Sequence, residues 1–163
     1  MTVALWAVLA RAGDREISGS VGFASTGHDE GSVGKGVAGG FAVGWHGDRR
    51  LGVEFDYGYS QNKRDDLFSG RTHTALGNVL VHFGKSRAQP YLLGGGGLLH
   101  HTNLGGRVFG FRNESRASLA GAVGFGVKAF INDHWFVRPE VRVTLTSSFD
   151  SVARASVGIG YRW

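Results

Sequence analysis

The sequence is dominated by an alternation of bulky apolar side chains with polar or very small ones, which starts soon after the N-terminal dozen residues and continues to the C-terminus. Residues 51–60, "LGVEFDYGYS", show it most clearly, because Val53 and Phe55 alternate with Glu54 and Asp56. A period of two places successive side chains on opposite faces of a β-strand and does not fit the 3.6-residue period of a helix. The chain is therefore expected to fold as strands with one apolar face each.

Eight such segments follow one another, separated by polar turns such as "HGDRR", "GKSRAQ" and "INDH". No convincing helical periodicity appears after residue 13, and each connection suits adjacent antiparallel strands. We therefore predict one all-β domain over residues 13–163, an eight-stranded antiparallel up-and-down barrel. The predicted strands lie at about residues 17–25, 36–45, 51–60, 71–83, 90–101, 119–129, 134–143 and 154–163.

Composition narrows the function classes. The chain has 163 residues, a length that suits one domain, and no cysteine, which excludes disulfides, thiol chemistry and cysteine-based zinc sites. The net charge of +5 does not predict nucleic-acid binding, because the Lys and Arg residues are scattered instead of clustered. The same positive charge suits a protein that lies beside anionic lipid head groups.

The N-terminal residues 1–12 differ from the rest. The apolar run Val3 to Leu9, followed by Ala10-Arg11-Ala12, resembles the end of a secretory signal peptide, although the basic region expected before it is missing. A retained N-terminal arm is the alternative. No run of 18–20 apolar residues is present, so the sequence predicts no transmembrane helix.

Alternation alone does not say whether the apolar face points into a soluble barrel, as in a lipocalin-like carrier, or outward into lipid. Two features favour lipid. Three of the alternate connections are short, while most of the others are longer and more polar, as in outer-membrane barrels. Aromatic residues also collect near the short turns, where they would form an interfacial girdle. The predicted girdle consists of Trp45, Phe83, Tyr91, Phe130, Trp135, Tyr161 and Trp163.

Charged residues share the face that carries glycine and alanine. Charges that faced lipid would cost roughly 2–4 kcal/mol each at the midplane, so this face must point inward. A barrel this narrow is filled by its own side chains. We predict an ion-paired interior layer made of Glu54, Asp56, Lys128, Arg138, Glu140 and Arg142.

Three stretches, "QPYLLGGGG", "WFVRPEVRV" and the terminal "VGIGYRW", resemble the small outer-membrane β-barrel proteins of Gram-negative bacteria, the porin-like, opacity-type group. The resemblance covers about residues 16–163 and concerns architecture, not function. It implies export to the bacterial outer membrane, insertion by the barrel-assembly machinery through the last strand, and contact with outer-membrane lipid and lipopolysaccharide.

One set of residues suggests an enzyme. Outer-membrane lipid A deacylases carry a His-x-Ser-Asn motif followed by a Glu, and His100, Thr102, Asn103 and Glu114 resemble that order. Thr102 would be the nucleophile, His100 the base and Glu114 the group that orients it. The replacement of Ser by Thr and the position on the fifth strand depart from the family's pattern.

No other residues form a motif that requires a metal or a phosphate ligand. His28, His73, His100 and His101 are near the long-loop end, but their spacing demands no metal site. The "GGGG" at residues 94–97 lacks the Gly-Lys-Ser/Thr ending of a phosphate loop. We expect no metal and no cofactor.

The sequence thus predicts a monomeric, non-enzymatic outer-membrane barrel with a structural or surface-interaction role through its longer loops. The alternatives are a lipid A-modifying esterase and a soluble lipocalin-like carrier. Pro139 is the exception within the seventh predicted strand, because proline cannot donate a hydrogen bond to a neighbouring strand; a bulge or an unpaired position would accommodate it.

Overall fold

The computed structural model forms a single closed barrel of eight antiparallel strands in up-and-down order, as predicted. It describes residues 13–27, 33–47, 50–65, 68–84, 86–105, 114–147 and 151–163, so the N-terminal segment of the sequence analysis lies outside the described residues. The strands are β1 (Asp14–Gly27), β2 (Val33–His46), β3 (Leu51–Asp65), β4 (Phe68–His82), β5 (Ala88–Gly105), β6 (Glu114–Phe130), β7 (Trp135–Thr146) and β8 (Ser151–Arg162).

The barrel closes between its first and last strands. Val21 of β1 is paired with Val157 of β8 on one side and with Gly39 of β2 on the other. Closure leaves no free sheet edge, which is the condition for strands to cross a bilayer. Among the described residues there is no helix long and apolar enough to cross a membrane.

The large apolar side chains lie on the outer wall. Val21 is 72% exposed and Leu119 70%, whereas the inward Leu80 and Phe136 are fully buried. Other exposed apolar residues on the outer wall come from all eight strands, among them Phe23, Val37, Phe55, Val79, Leu98, Val123, Val143 and Ile159. A continuous apolar surface of this kind is the lipid-contacting band of a membrane barrel.

Glycines on the inner wall make room for the larger interior side chains. A Cβ atom on Gly160 would lie 2.2 Å from the ring of Phe136, and one on Gly126 would lie 2.4 Å from the hydroxyl oxygen of Tyr91. The small residues of the alternating pattern therefore allow aromatic rings to lie against the barrel wall.

Pro139 is accommodated without a bulge. Gly126 pairs with Glu140 and Ala129 pairs with Val137, and these two pairs have the same register. The two pairs between them are not formed, while Pro139 still pairs with Val157 of β8. The missing N–H thus leaves a local gap in the β6–β7 ladder.

Candidate functional site

An ion-paired layer crosses the interior of the barrel from β3 to β7. Arg138 forms an ion pair with Glu54, in which its Nη2 donates to Oε1 at 3.1 Å, and its Nε donates to Oε2 of Glu140 at 3.1 Å. All three residues are at most 6% exposed. β3 and β7 face each other across the barrel, so this group of side chains links opposite walls.

The layer continues on the side of the long connections. Nη1 of Arg142 donates to Oδ1 of Asp56 at 2.7 Å, and its Nη2 lies 2.9 Å from Oε1 of Glu140. Arg154 of β8 adds a third guanidinium group, with Nη2 at 3.3 Å from Oδ2 of Asp56. Arg154 was not among the residues predicted for the layer, although its position on the polar face of the last predicted strand was the available signal.

The charges of this layer balance. Glu54, Asp56 and Glu140 provide three carboxylates, and Arg138, Arg142 and Arg154 provide three guanidinium groups. Balance matters because an isolated buried charge is far more costly than a paired and hydrogen-bonded one. Two cavities border the layer and have volumes of about 10 and about 20 Å³, room for about one water molecule each.

Tyr91 belongs to this interior, which corrects its predicted place in the girdle. Its side chain is 1% exposed; its hydroxyl group donates to Oε2 of Glu140 at 2.7 Å and accepts from Nε of Arg138 at 2.6 Å. Phe130 also differs from the prediction: it shares the inner face of β6 with Lys128 and packs on Phe136 at a centroid distance of 5.4 Å.

A second polar cluster lies nearer the short turns. Lys128 forms an ion pair with Glu16 of β1, a residue that the sequence analysis did not single out, instead of joining the arginine layer. Its Nζ lies 3.3 Å from Nε2 of His46, and the Nε2 atoms of His46 and His82 lie 3.1 Å apart. The interior thus contains two polar groups at different depths.

The other aromatic residues lie around the short-turn end of the outer wall. Trp135 meets Tyr161 edge-on at a centroid distance of 5.1 Å, and Tyr161 stacks on Trp163 at 6.1 Å. Phe83 is exposed, and Trp45 is half-buried on the outer face of β2. Rings at one end of an apolar band suit the membrane–water interface.

The esterase candidates His100, Thr102 and Asn103 lie on β5, the strand on which the sequence placed them. His100 lies on the outer wall of β5, and its Nε2 is 2.7 Å from Oγ of Ser115 on β6, a residue that the sequence analysis missed. Thr102 lies on the same face, two residues further along. Glu114 pairs with Asn103 in the β5–β6 ladder, and the side chains of both lie outside the part that the structure describes.

The histidines form no metal centre in the described ranges, where no group of three or more possible ligands occurs. Nδ1 of His73 is 2.7 Å from the hydroxyl oxygen of Tyr57 on the outer wall. His101 points inward, where its Nδ1 is 2.8 Å from Oγ1 of Thr72. His28 lies outside the described residues.

The closed strand order, apolar outer wall and polar interior define a membrane-spanning β-barrel. The family model for the outer membrane protein beta-barrel domain matches residues 2–162, and the chain belongs to that family. It is therefore a protein of the bacterial outer membrane.

Solved structures share this fold at low sequence identity. Neisserial surface protein A is 15% identical with a TM-score of 0.78, and the alignment covers 91% of this chain and 98% of that one. Ail, the attachment invasion locus protein of Yersinia pestis, is 16% identical with a TM-score of 0.68 over 93% and 99% of the two chains. The outer membrane enzyme PagL is 19% identical with a TM-score of 0.53 over 89% and 97%. No curated protein sequence matches significantly.

Proposed function

We propose that this protein is a non-enzymatic outer-membrane barrel whose interior is plugged by its own ion pairs, and that it anchors its longer connections at the cell surface for structural or interaction roles. The observation that carries the proposal is the arginine–carboxylate layer between β3 and β7. Six mutually paired side chains, five of them buried and Arg154 partly buried, occupy the cross-section that a solute would have to pass.

The energetics favour a closed resting state. Arg138 and Glu54 were desolvated on folding, and that cost is offset only while the two groups remain paired. A continuous water channel would require these contacts to separate at the narrowest part of the barrel. The paired layer therefore acts as a structural plug between the walls.

Conductance tests the plug directly. Purified protein reconstituted into planar bilayers is expected to show no stable channels, and liposomes that contain it are expected not to swell in small sugars. The double variant Arg138→Ala with Glu140→Ala removes one charge of each sign and is expected to produce channels. The variant Asp14→Asn at the exposed strand end is the control and should stay silent. Regular conductance steps in the wild type would refute the plug.

The surface role depends on which end of the barrel faces outward. The short connections should face the periplasm and the long ones the cell exterior. An epitope inserted into the connection at residues 106–113 is expected to bind antibody on intact cells. An epitope in the turn at residues 132–134 should bind antibody only after the membrane is permeabilised, and the reverse pattern would contradict the orientation.

A second candidate function is an esterase of outer-membrane lipids, and the contact between His100 and Ser115 favours it. A serine hydroxyl 2.7 Å from an imidazole nitrogen is the arrangement of a nucleophile and its general base, and both residues face the lipid. The nucleophile would then be Ser115 instead of Thr102.

Fatty-acid release from lipid A in mixed micelles separates the two candidates. Under the first proposal the wild type releases none. Release that is lost in His100→Ala and Ser115→Ala but kept in Thr102→Ala would establish the esterase and its nucleophile. Loss in Thr102→Ala with Ser115→Ala unaffected would restore the nucleophile that the sequence predicted.

A further inference from the structure

The outer wall contains a cleft over β8 at the end of the barrel opposite the aromatic girdle. Its floor consists of Ala153 and Ala155, which lie in the first half of β8, whereas the girdle residue Tyr161 lies near the end of that strand. The cleft has a volume of about 600 Å³, which is within the range of roughly 300–1,000 Å³ typical of small-molecule sites.

The register explains the shape of the cleft. Ala155 lies between Phe23 of β1 and Val141 of β7, its partners in the two neighbouring ladders. Ala153 lies between Val143 of β7 and the small Ser25 of β1. The outer wall therefore has a trough along β8, where two alanines follow one another on the same face. By contrast, β5 and β6 present the large Leu98 and Leu119 on their outer faces.

Lys35 provides a positive charge at the loop-side end of this trough. Lys35 is exposed on the outer face of β2, where it pairs with Ser25, and both residues line the cleft. The lining is otherwise apolar on the outer face, with Phe23 and Val37 leading from the alanine floor to the lysine. The cleft thus combines an apolar trough with a positive charge at its outer end.

We propose that this cleft binds a lipopolysaccharide molecule of the outer leaflet, with one acyl chain over Ala153 and Ala155 and a lipid A phosphate on Lys35. The position supports this occupant, because the cleft lies on the half of the barrel that faces the cell exterior and the outer leaflet there is a phosphorylated, multiply acylated glycolipid. A lysine near a membrane surface attracts anionic lipid, and each buried methylene group of an acyl chain adds to binding. Arg154 of the interior layer also lines the cleft, but Ala153, Ala155 and Lys35, which carry the proposal, lie on the outer wall, so the proposal does not rest on the structural plug.

Binding is measured by native mass spectrometry of the folded protein released from detergent, with diphosphoryl hexa-acyl lipid A as the probe. Ala155→Phe fills the trough and is expected to weaken retention about tenfold, the effect of displacing roughly two methylene groups. Lys35→Gln is expected to weaken retention of this lipid about fivefold and that of its dephosphorylated form far less. Heat-modifiable gel mobility verifies that each variant is folded.

Matched controls lie outside the cleft, on β6 and β4. Ala117→Phe adds the same ring to an exposed alanine on β6, and Arg71→Gln removes an exposed charge from β4; both should retain lipid A as the wild type does. The proposal is overturned if Ala155→Phe binds normally or if Ala117→Phe binds equally weakly. Equal retention of phosphatidylglycerol would overturn the choice of lipopolysaccharide. A dimer abolished by Ala155→Phe, with lipid A retention unchanged, would assign the cleft to a second copy of the chain.

Discussion

Arg138 on β7 and Glu54 on β3 are 84 residues apart in sequence and form a buried ion pair across the barrel. The pair exists because closure places these two strands on opposite walls and the narrow interior brings their inward side chains together. It is the central contact of the layer, since Arg138 also binds Glu140 and Tyr91.

Glu54→Gln is expected to lower the free energy of unfolding by about 3–5 kcal/mol, because it leaves the buried charge of Arg138 with one carboxylate fewer. The measurement is denaturant unfolding in lipid vesicles, followed by gel mobility. Asp14→Asn is the control: it weakens a peripheral ion pair with Arg162 at 3.7 Å and should change stability by less than about 0.5 kcal/mol. Equal stability of Glu54→Gln and wild type would show that the layer is not structural.

Tyr91→Phe is expected to cost about 1–3 kcal/mol, since it removes the hydroxyl group that links Arg138 to Glu140 and leaves their hydrogen bonds unmade. The same unfolding assay measures it. Tyr161→Phe removes a hydroxyl group from the outer girdle and should have little effect. If Tyr161→Phe proves the more harmful of the two, the interior role of Tyr91 is wrong.

The inward position of Tyr91 is a feature that the sequence could not predict. Alternation predicts the strands and the inward face of β7 because Arg138, Glu140 and Arg142 contrast with their neighbours. On β5 the contrast is lost, since Tyr91, Leu92 and Leu93 are all apolar and four glycines follow them. An error of one residue in the alternation along a strand moves every side chain to the opposite face of the sheet. The pattern of β5 therefore could not show whether Tyr91 points into the barrel or toward the lipid.

The partner of Lys128 was unpredictable for another reason. Glu16 is 112 residues away, and the two meet because β1 closes the barrel with a particular stagger of its strands. That stagger is a property of the closed sheet and has no local signal in the sequence. Likewise, the proximity of Ser115 to His100 depends on the register between β5 and β6, which the sequence does not show.

The four glycines at residues 94–97 provide a matched pair of substitutions. A Cβ atom on Gly97 would lie 2.0 Å from the backbone oxygen of Ala75, whereas one on Gly94 would have nothing within 4 Å. Gly97→Ala is therefore expected to destabilise the barrel by about 1–3 kcal/mol. Gly94→Ala should be neutral or stabilise it by up to about 1 kcal/mol, through the unfolded chain. Denaturant midpoints of the two variants test the inward and outward assignments, and a reversed order would contradict them.

Pro139 interrupts the β6–β7 ladder without changing its register, so its replacement should restore contacts that the neighbouring strands already permit. Pro139→Val supplies an N–H group and an apolar side chain on the exposed outer face, and it is expected to raise the free energy of unfolding by about 0.5–1.5 kcal/mol. Pro90→Val is the comparison, because Pro90 already pairs with Val127 in the intact β5–β6 ladder and should gain less. Slower hydrogen exchange of the backbone amides of β6 and β7 would report the closed gap. A loss of stability in Pro139→Val would mean that the proline contributes through the rigidity of its own backbone, and the gap would then be a required feature of the seventh strand.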